Sequence, residues 1–207
     1  MSDATPTAPA SLPFAEPSPL GLLGLAIGCA ALLPIAFGAP VTPASLRTAA
    51  MFCLFFGAGC QFLAGLMSLA NKNLLGGTLF TTFAFNWLMN WHTLSGFAEG
   101  RVPDRLVGLC VDGVFLVIFV VLTAAFAYHS KLLVAFLADV VALFGFRLLR
   151  ELLHMPALGL PIALATVGLM VIALYMAFAV LLNASAGRTV LPMPGPLWTP
   201  GPAPSAP

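Results

Sequence analysis

The sequence predicts an all-α fold, a polytopic membrane protein built as a six-transmembrane-helix bundle, on three observations. Hydrophobic residues make up 60% of the 207-residue chain and charged residues 7%, where a soluble domain carries about 25% charged residues to hold its surface in water. The charges gather at Arg47, Lys72, Glu99 to Arg105, Lys131, Arg147 to Glu151 and Arg188. Between those clusters the chain runs apolar for long enough to cross a hydrocarbon layer of about 30 Å.

The first predicted span covers about Leu20 to Ala39, with Ser18 as its N-cap and Pro19 at the first helical position, where a missing N–H costs nothing. Thr42-Pro43 opens the way to a second span over Leu46 to Leu69. The tight polar turn Asn71-Lys72-Asn73 leads into a third over Leu74 to Leu94. A polar hinge from Glu99 to Arg105 follows, and Asp104 is placed to cap a fourth span, Leu106 to Tyr128. The fifth is Lys131 to Leu153; Met155-Pro156 breaks the chain, and Leu158 to Leu182 makes the sixth, ending at Asn183. The transmembrane domain is thus residues 16–191. The ends, residues 1–15 and 192–207, are rich in Pro, Ala, Ser and Thr and bury too little apolar surface to offset the entropy of ordering, so both are expected to be disordered tails.

Six spans put both ends on one side of the membrane. With the ends inside, the inner side carries Lys72, Lys131 and Arg188 and the outer side Arg47, Arg101 and Arg105, so charge leaves the orientation open. No Lys or Arg precedes the first apolar run, so the basic start of a signal peptide is missing and the first helix is expected in the mature protein.

Several function classes drop out. A net charge of +1 and the lack of any Lys or Arg run give no surface for nucleic acid. Cys29, Cys53, Cys60 and Cys110 lie in apolar segments with no CxxC pair and no His at zinc-ligand spacing, so they read as small packing residues and no metal or cofactor is expected. No nucleophile with its base and no phosphate loop can be assembled, which argues against an enzyme.

In lipid, helices associate through close packing, and small residues four apart mark the contact faces. Gly21, Gly24 and Gly28 form one such face, and Cys53, Gly57, Gln61 and Gly65 form another. Gln61 needs a partner there: an interhelical hydrogen bond, or a solute in a path. The third span carries Thr78, Thr82, Asn86 and Asn90 at successive fourth positions, a stripe that drifts about 40° per step and either bonds neighbouring helices or faces a wet path. Phe80, Phe83, Trp87 and Trp91 stand beside it.

Ionisable groups inside spans are costly, about 2.5 to 3.5 kcal/mol each on insertion scales, and so point to function. Asp112, seven residues after Arg105, reads as that arginine's structural partner. Asp139 is deeper, beyond reach of Lys131 and Arg147 on its own helix; it must hold a proton, meet a partner from another helix or face water. Arg147, Arg150, Glu151 and His154 pair at fourth positions and read as an interfacial cluster whose arginines snorkel, or as a ring that draws anions to a pore mouth.

Short motifs recur in order along the chain: Pro17-Ser18-Pro19-Leu20-Gly21-Leu22; Phe56-Gly57-Ala58-Gly59-Cys60-Gln61-Phe62-Leu63-Ala64-Gly65; Asn73 with Gly77-Thr78; Trp87; and Gly187-Arg188-Thr189-Val190-Leu191-Pro192. In that order and spacing the sequence resembles the acetate uptake transporter family, which includes the bacterial succinate-acetate permeases. The resemblance implies a six-helix bundle assembled as a hexamer, each protomer passing small carboxylates through its own path, coupled to protons. Relatives close the path with an apolar constriction of a Phe, a Tyr and a Leu, which correspond to Leu25, Phe83 and Val140 here.

The chain departs from the pattern at Glu16, where the family opening starts with Asn, and at Asn86, where the family has Phe before Trp87. The constriction has Phe83 for the Tyr and gains Asp139 beside Val140. An ionised Asp139 would repel an anion, so the expectation is a side chain at least partly protonated as acetate passes. Gln61, Thr82, Asn86, Asn90 and Asp139 are the polar path candidates. The reading is a transporter or channel for acetate and related short carboxylates, succinate included, in a bacterial cytoplasmic membrane. The alternatives are a channel for urea, a short amide or ammonium, and a non-transporting sensor or assembly protein on the same fold.

Overall fold

The computed structural model describes residues 13–199. Six long helices cover Ser18–Ala36, Pro43–Ala70, Leu74–Ala98, Arg105–Phe126, Lys131–Leu152 and Gly159–Ala186, the last entered through a 3-10 turn at Pro156–Leu158, and no strand occurs among the described residues. Each helix packs against its neighbours in chain order, and the first closes the ring on the sixth. Five are long and apolar enough to cross a membrane; Leu74–Ala98 has 25 residues but falls short in hydropathy, because it carries the stripe from Thr78 to Asn90.

The helix limits fall within about one turn of the predicted spans, and polar side chains set most of the starts. Thr42 and Ser45 form a reciprocal capping box at the second helix, with Pro43 at its first position. Asn73 Oδ1 accepts from the Gly76 N–H at 2.9 Å, Asp104 Oδ1 from the Val107 N–H at 2.8 Å and Ser130 Oγ from the Leu132 N–H at 3.2 Å, each satisfying an amide that the helix itself leaves open. The first helix departs from the expectation: Ser18 lies inside it and makes no cap, and Glu16 Oε1 accepts the Ser18 N–H at 3.0 Å instead.

The second helix is not α-helical throughout. Its middle, Cys53–Cys60, winds as a π-helix between two α-helical ends, a form that wide turns of small residues tolerate and that concentrates at functional sites. Both small-residue faces are used. A methyl on Gly21 would sit 2.5 Å from the Phe80 ring, one on Gly24 2.5 Å from the Phe56 carbonyl oxygen, one on Gly57 2.6 Å from the Trp87 indole and one on Gly65 2.6 Å from Thr81. The backbones of the first three helices therefore approach as closely as glycine permits.

The tail from Pro192 corrects the expectation of disorder. The sixth helix runs past Asn183 to Ala186 and ends on Gly187 in the left-handed region, φ 62°. The chain then doubles back: Asn183 Oδ1 accepts from the Val190 and Leu191 N–H groups at 2.6 and 3.0 Å, and Asn183 Nδ2 donates to the Leu191 carbonyl at 2.8 Å. Beyond it, Tyr175 donates to the Pro192 carbonyl, Ser130 to the Pro194 carbonyl and the Lys131 N–H to the Gly195 carbonyl, while Leu197 and Trp198 donate to the Ala127 carbonyl. Composition misses this because the order comes from hydrogen bonds to distant helices, not from buried apolar area. Residues 1–12 and 200–207 of the two predicted tails lie outside the described residues.

Replacing Asn183 by Ala removes three of those bonds at about 1 kcal/mol each. Trypsin should then cut after Arg188 about tenfold faster or more, since cleavage of a folded chain follows local opening; an unchanged rate would mean that the other bonds hold the segment by themselves.

Candidate functional site

Two cavities lie toward opposite ends of the helices. One, of about 220 Å³, is walled by Leu25, Cys29 and Leu32 of the first helix, Phe83, Asn86, Trp87 and Asn90 of the third, Val140, Phe144 and Arg147 of the fifth, and Ile162, Thr166 and Leu169 of the sixth. The other, of about 160 Å³, is walled by Glu16, Ser18 and Leu22, by Gln61, by Asn73, Leu79, Phe80 and Phe83, and by Phe126, Phe136, Met176 and Met193. We refer to them as the Arg147 cavity and the Gln61 cavity.

Phe83 is a wall of both. Its ring packs on Phe119 at 4.7 Å and Phe136 at 6.2 Å between centroids. Leu25 and Val140 face the same space from the first and fifth helices, and all three side chains are buried. The three residues singled out in the sequence as a constriction therefore line one cavity, and of the three Phe83 alone also lines the other.

No family model and no curated protein sequence matches the chain. In three dimensions it superposes on the bacterial acetate channel SatP with a TM-score of 0.77 at 22% sequence identity, over 87% of this chain and 99% of that one. The chain has that channel's fold.

Within this acetate-channel fold the motif residues hold the helices together. Pro17, Pro19 and Leu20 start the first helix, and Gly21 receives Phe80. Asn73 caps the third helix, Gly77 takes the Leu69 side chain, and Trp87 fills the space that Gly28 and Gly57 leave open. Gly187, Arg188 and Thr189 make the reversal after the sixth helix.

The polar candidates separate. Gln61 is fully buried on the wall of its cavity, and neither amide atom has a hydrogen-bond partner among the described residues, so the interhelical hydrogen bond that would explain it is not made. Asn86 and Asn90 line the Arg147 cavity. Thr78 is exposed, and half-buried Thr82 lines neither cavity, because the stripe rotates about 40° at each step and meets the cavity only in its second half. Asp139 is half-buried and lines neither cavity; its buried Oδ2 has no hydrogen-bond partner among the described residues and stands against Gly168 of the sixth helix, where a methyl would come within 2.6 Å of it. It stands behind Val140 rather than on the cavity wall.

The charged residues pair differently from the sequence expectation. Asp112 meets Arg147 of the fifth helix at 3.1 Å, and Arg105 meets Glu151 at 3.4 Å and also donates to the Glu151 carbonyl. The fourth and fifth helices run antiparallel, so residues near the start of one lie level with residues near the end of the other, and the pairs form across that seam. Arg147 reaches inward as well as outward: its guanidinium lies 5.3 Å from the centroid of the Phe144 ring and on the cavity wall.

Proposed function

We propose that this protein moves acetate and related short carboxylates, succinate among them, across a bacterial cytoplasmic membrane, through the Arg147 and Gln61 cavities and past Leu25, Phe83 and Val140. The observation that carries this reading is Phe83 in the wall of both cavities, in a chain folded like an acetate channel. At the apolar level a carboxylate sheds water, and the amides of Asn86 and Asn90 on one side and Gln61 on the other replace part of those contacts. An unpaired Gln61 amide offers two donors with no competing internal bond to break.

In this reading the third helix crosses the membrane with the other five, its polar stripe turned partly to the path. The protein assembles as a hexamer, which covers some of the outward phenyl rings of the second and third helices, such as Phe55, Phe62 and Phe85. Passage is linked to protons through Asp139, which stands next to Val140 and whose buried Oδ2 has no hydrogen-bond partner among the described residues. Replacing Asp139 by Asn should then abolish the acid stimulation of uptake while leaving protein-dependent flux; a variant with the wild-type pH profile would remove Asp139 from the coupling.

One observation favours a second reading, a channel for urea or a short amide: Asp112 neutralises Arg147 at the mouth, leaving amide groups as the polar lining. Uptake of radiolabelled acetate into proteoliposomes at two external pH values, with and without a protonophore and excess urea, decides between them. Uptake above empty liposomes that rises at acid pH and ignores urea is expected. Block by urea, with no protein-dependent acetate uptake, would transfer the assignment to neutral solutes.

A further inference from the structure

Arg147 occupies a position shared by no other charged side chain among the described residues. It lines the Arg147 cavity and also both outward depressions beside it, one between the third and fourth helices and one along the seam of the fourth and fifth. Asp112 lines the two depressions and not the cavity. The guanidinium thus stands in the doorway, with its carboxylate partner on the outer side and with Asn86 and Asn90 lining both the cavity and the depression between the third and fourth helices.

We propose that the Asp112–Arg147 pair is a carboxylate-exchange site, in which an incoming carboxylate replaces Asp112 on the guanidinium and passes from it into the cavity. This rests on the carboxylate-transport reading above. Three features carry it. Asp112 engages one terminal nitrogen, Nη2, at 3.1 Å, whereas a guanidinium presents five N–H donors in a fork that suits a second, bidentate carboxylate. The Phe144 face holds the cation in place from below, so the arginine keeps its seat while its anion changes. The other two carboxylates at the seam are engaged elsewhere, Glu151 by Arg105 and Asp104 by the Val107 N–H, and do not compete.

The exchange also keeps the electrostatics level. The Asp112 side chain is 15% exposed and that of Arg147 35%, and breaking such a pair outright would leave a charge poorly solvated. Trading one carboxylate for another preserves the ion pair, and the released Asp112 faces the outer depressions, where water reaches it. An uncharged solute gains nothing from this step, so the pair selects for anions.

Acetate binding to the purified protein, read by saturation-transfer NMR, and the concentration dependence of acetate uptake into proteoliposomes test the proposal. Arg147→Gln should raise the half-saturating acetate concentration about tenfold in both measurements, the loss of one charge-assisted contact, and Asp112→Asn should lower it. Arg147→Lys, which keeps the charge and loses the fork, should fall between wild type and Arg147→Gln and serves if the glutamine variant does not fold. The exchanged pair, Asp112→Arg with Arg147→Asp, restores a structural ion pair but moves the cation off the cavity wall, so it should not restore affinity. Rescue by the exchanged pair, or a wild-type half-saturation in Arg147→Gln, would overturn the proposal while transport by the wild type left the carboxylate reading standing. A wild type that neither binds nor moves acetate would overturn both.

Discussion

Gly24→Val should prevent the ring from assembling, the largest stability effect expected of a single substitution in this chain. A Cβ at position 24 would lie 2.5 Å from the carbonyl oxygen of Phe56 and 2.5 Å from the Cβ of Cys60. Neither can swing aside: one is backbone and the other is fixed to it. The first and second helices would have to separate along their whole contact, and in lipid it is such close contact that holds helices together. Overpacking of a filled core costs about 1–3 kcal/mol, a range we assign to Gly24→Ala, with the two further methyl groups of valine going beyond it. Gly28→Ala should cost less, since its nearest atoms are 3.0 Å or more away on the Trp87 ring. Gly145→Ala meets nothing within 4 Å and should be neutral or stabilising, as alanine favours a helix interior over glycine by about 0.5–1 kcal/mol. Thermal unfolding in detergent ranks the four proteins; a Gly24→Val protein that melts like wild type would contradict the packing described for the first two helices.

The helices were legible because their signals are local. Asn73, Asp104 and Pro43 start helices where they stand in the sequence, and the breaks at Lys72, Pro103 and Pro156 interrupt apolar runs that nothing else interrupts. The glycine faces were legible for the same reason, since four-residue spacing survives folding. The order of the C-terminal segment was not, because Asn183 reads as the end of a helix and acts instead as the clamp for residues eight positions on. The π-helical stretch was equally hidden: Gly57, Ala58 and Gly59 permit wide turns without requiring them.

At the site, Leu25, Phe83 and Val140 were assigned to a constriction through the resemblance and not through the residues themselves, which are unremarkable apolar positions on three helices. Asp112 was paired with Arg105 by counting along one helix. Antiparallel register gives the other answer: Asp112 is seven residues past the start of the fourth helix, and Arg147 five before the end of the fifth, so the two stand at nearly the same depth. Depth matching between consecutive spans is the signal that would have found this pair. Nothing local to Gln61 could have shown that its amide stays unpaired, because that depends on what the first and third helices do not offer it.

Phe83→Ala is the substitution expected to change transport most. The ring lines both cavities, and its neighbours Phe119 and Phe136 are themselves fully buried. Removing it joins the two spaces, so a solute no longer crosses a dry level between the amides of Asn86 and Asn90 and that of Gln61. A barrier lower by about 1.4 kcal/mol gives a tenfold rate, and apolar constrictions gate by excluding water; on the carboxylate-transport reading, acetate flux should rise by about that factor or more, and longer acids should enter more readily. The same change costs about 3–5 kcal/mol of stability as a large-to-small substitution, which makes Phe83→Leu the necessary companion: it keeps most of the packing and should give an intermediate flux. Flux is read in proteoliposomes at equal protein, with unfolding in detergent measured alongside. Should Phe83→Ala fold and carry acetate at the wild-type rate and selectivity, the path does not cross between these cavities, and Leu25 and Val140 lose their assigned role with it.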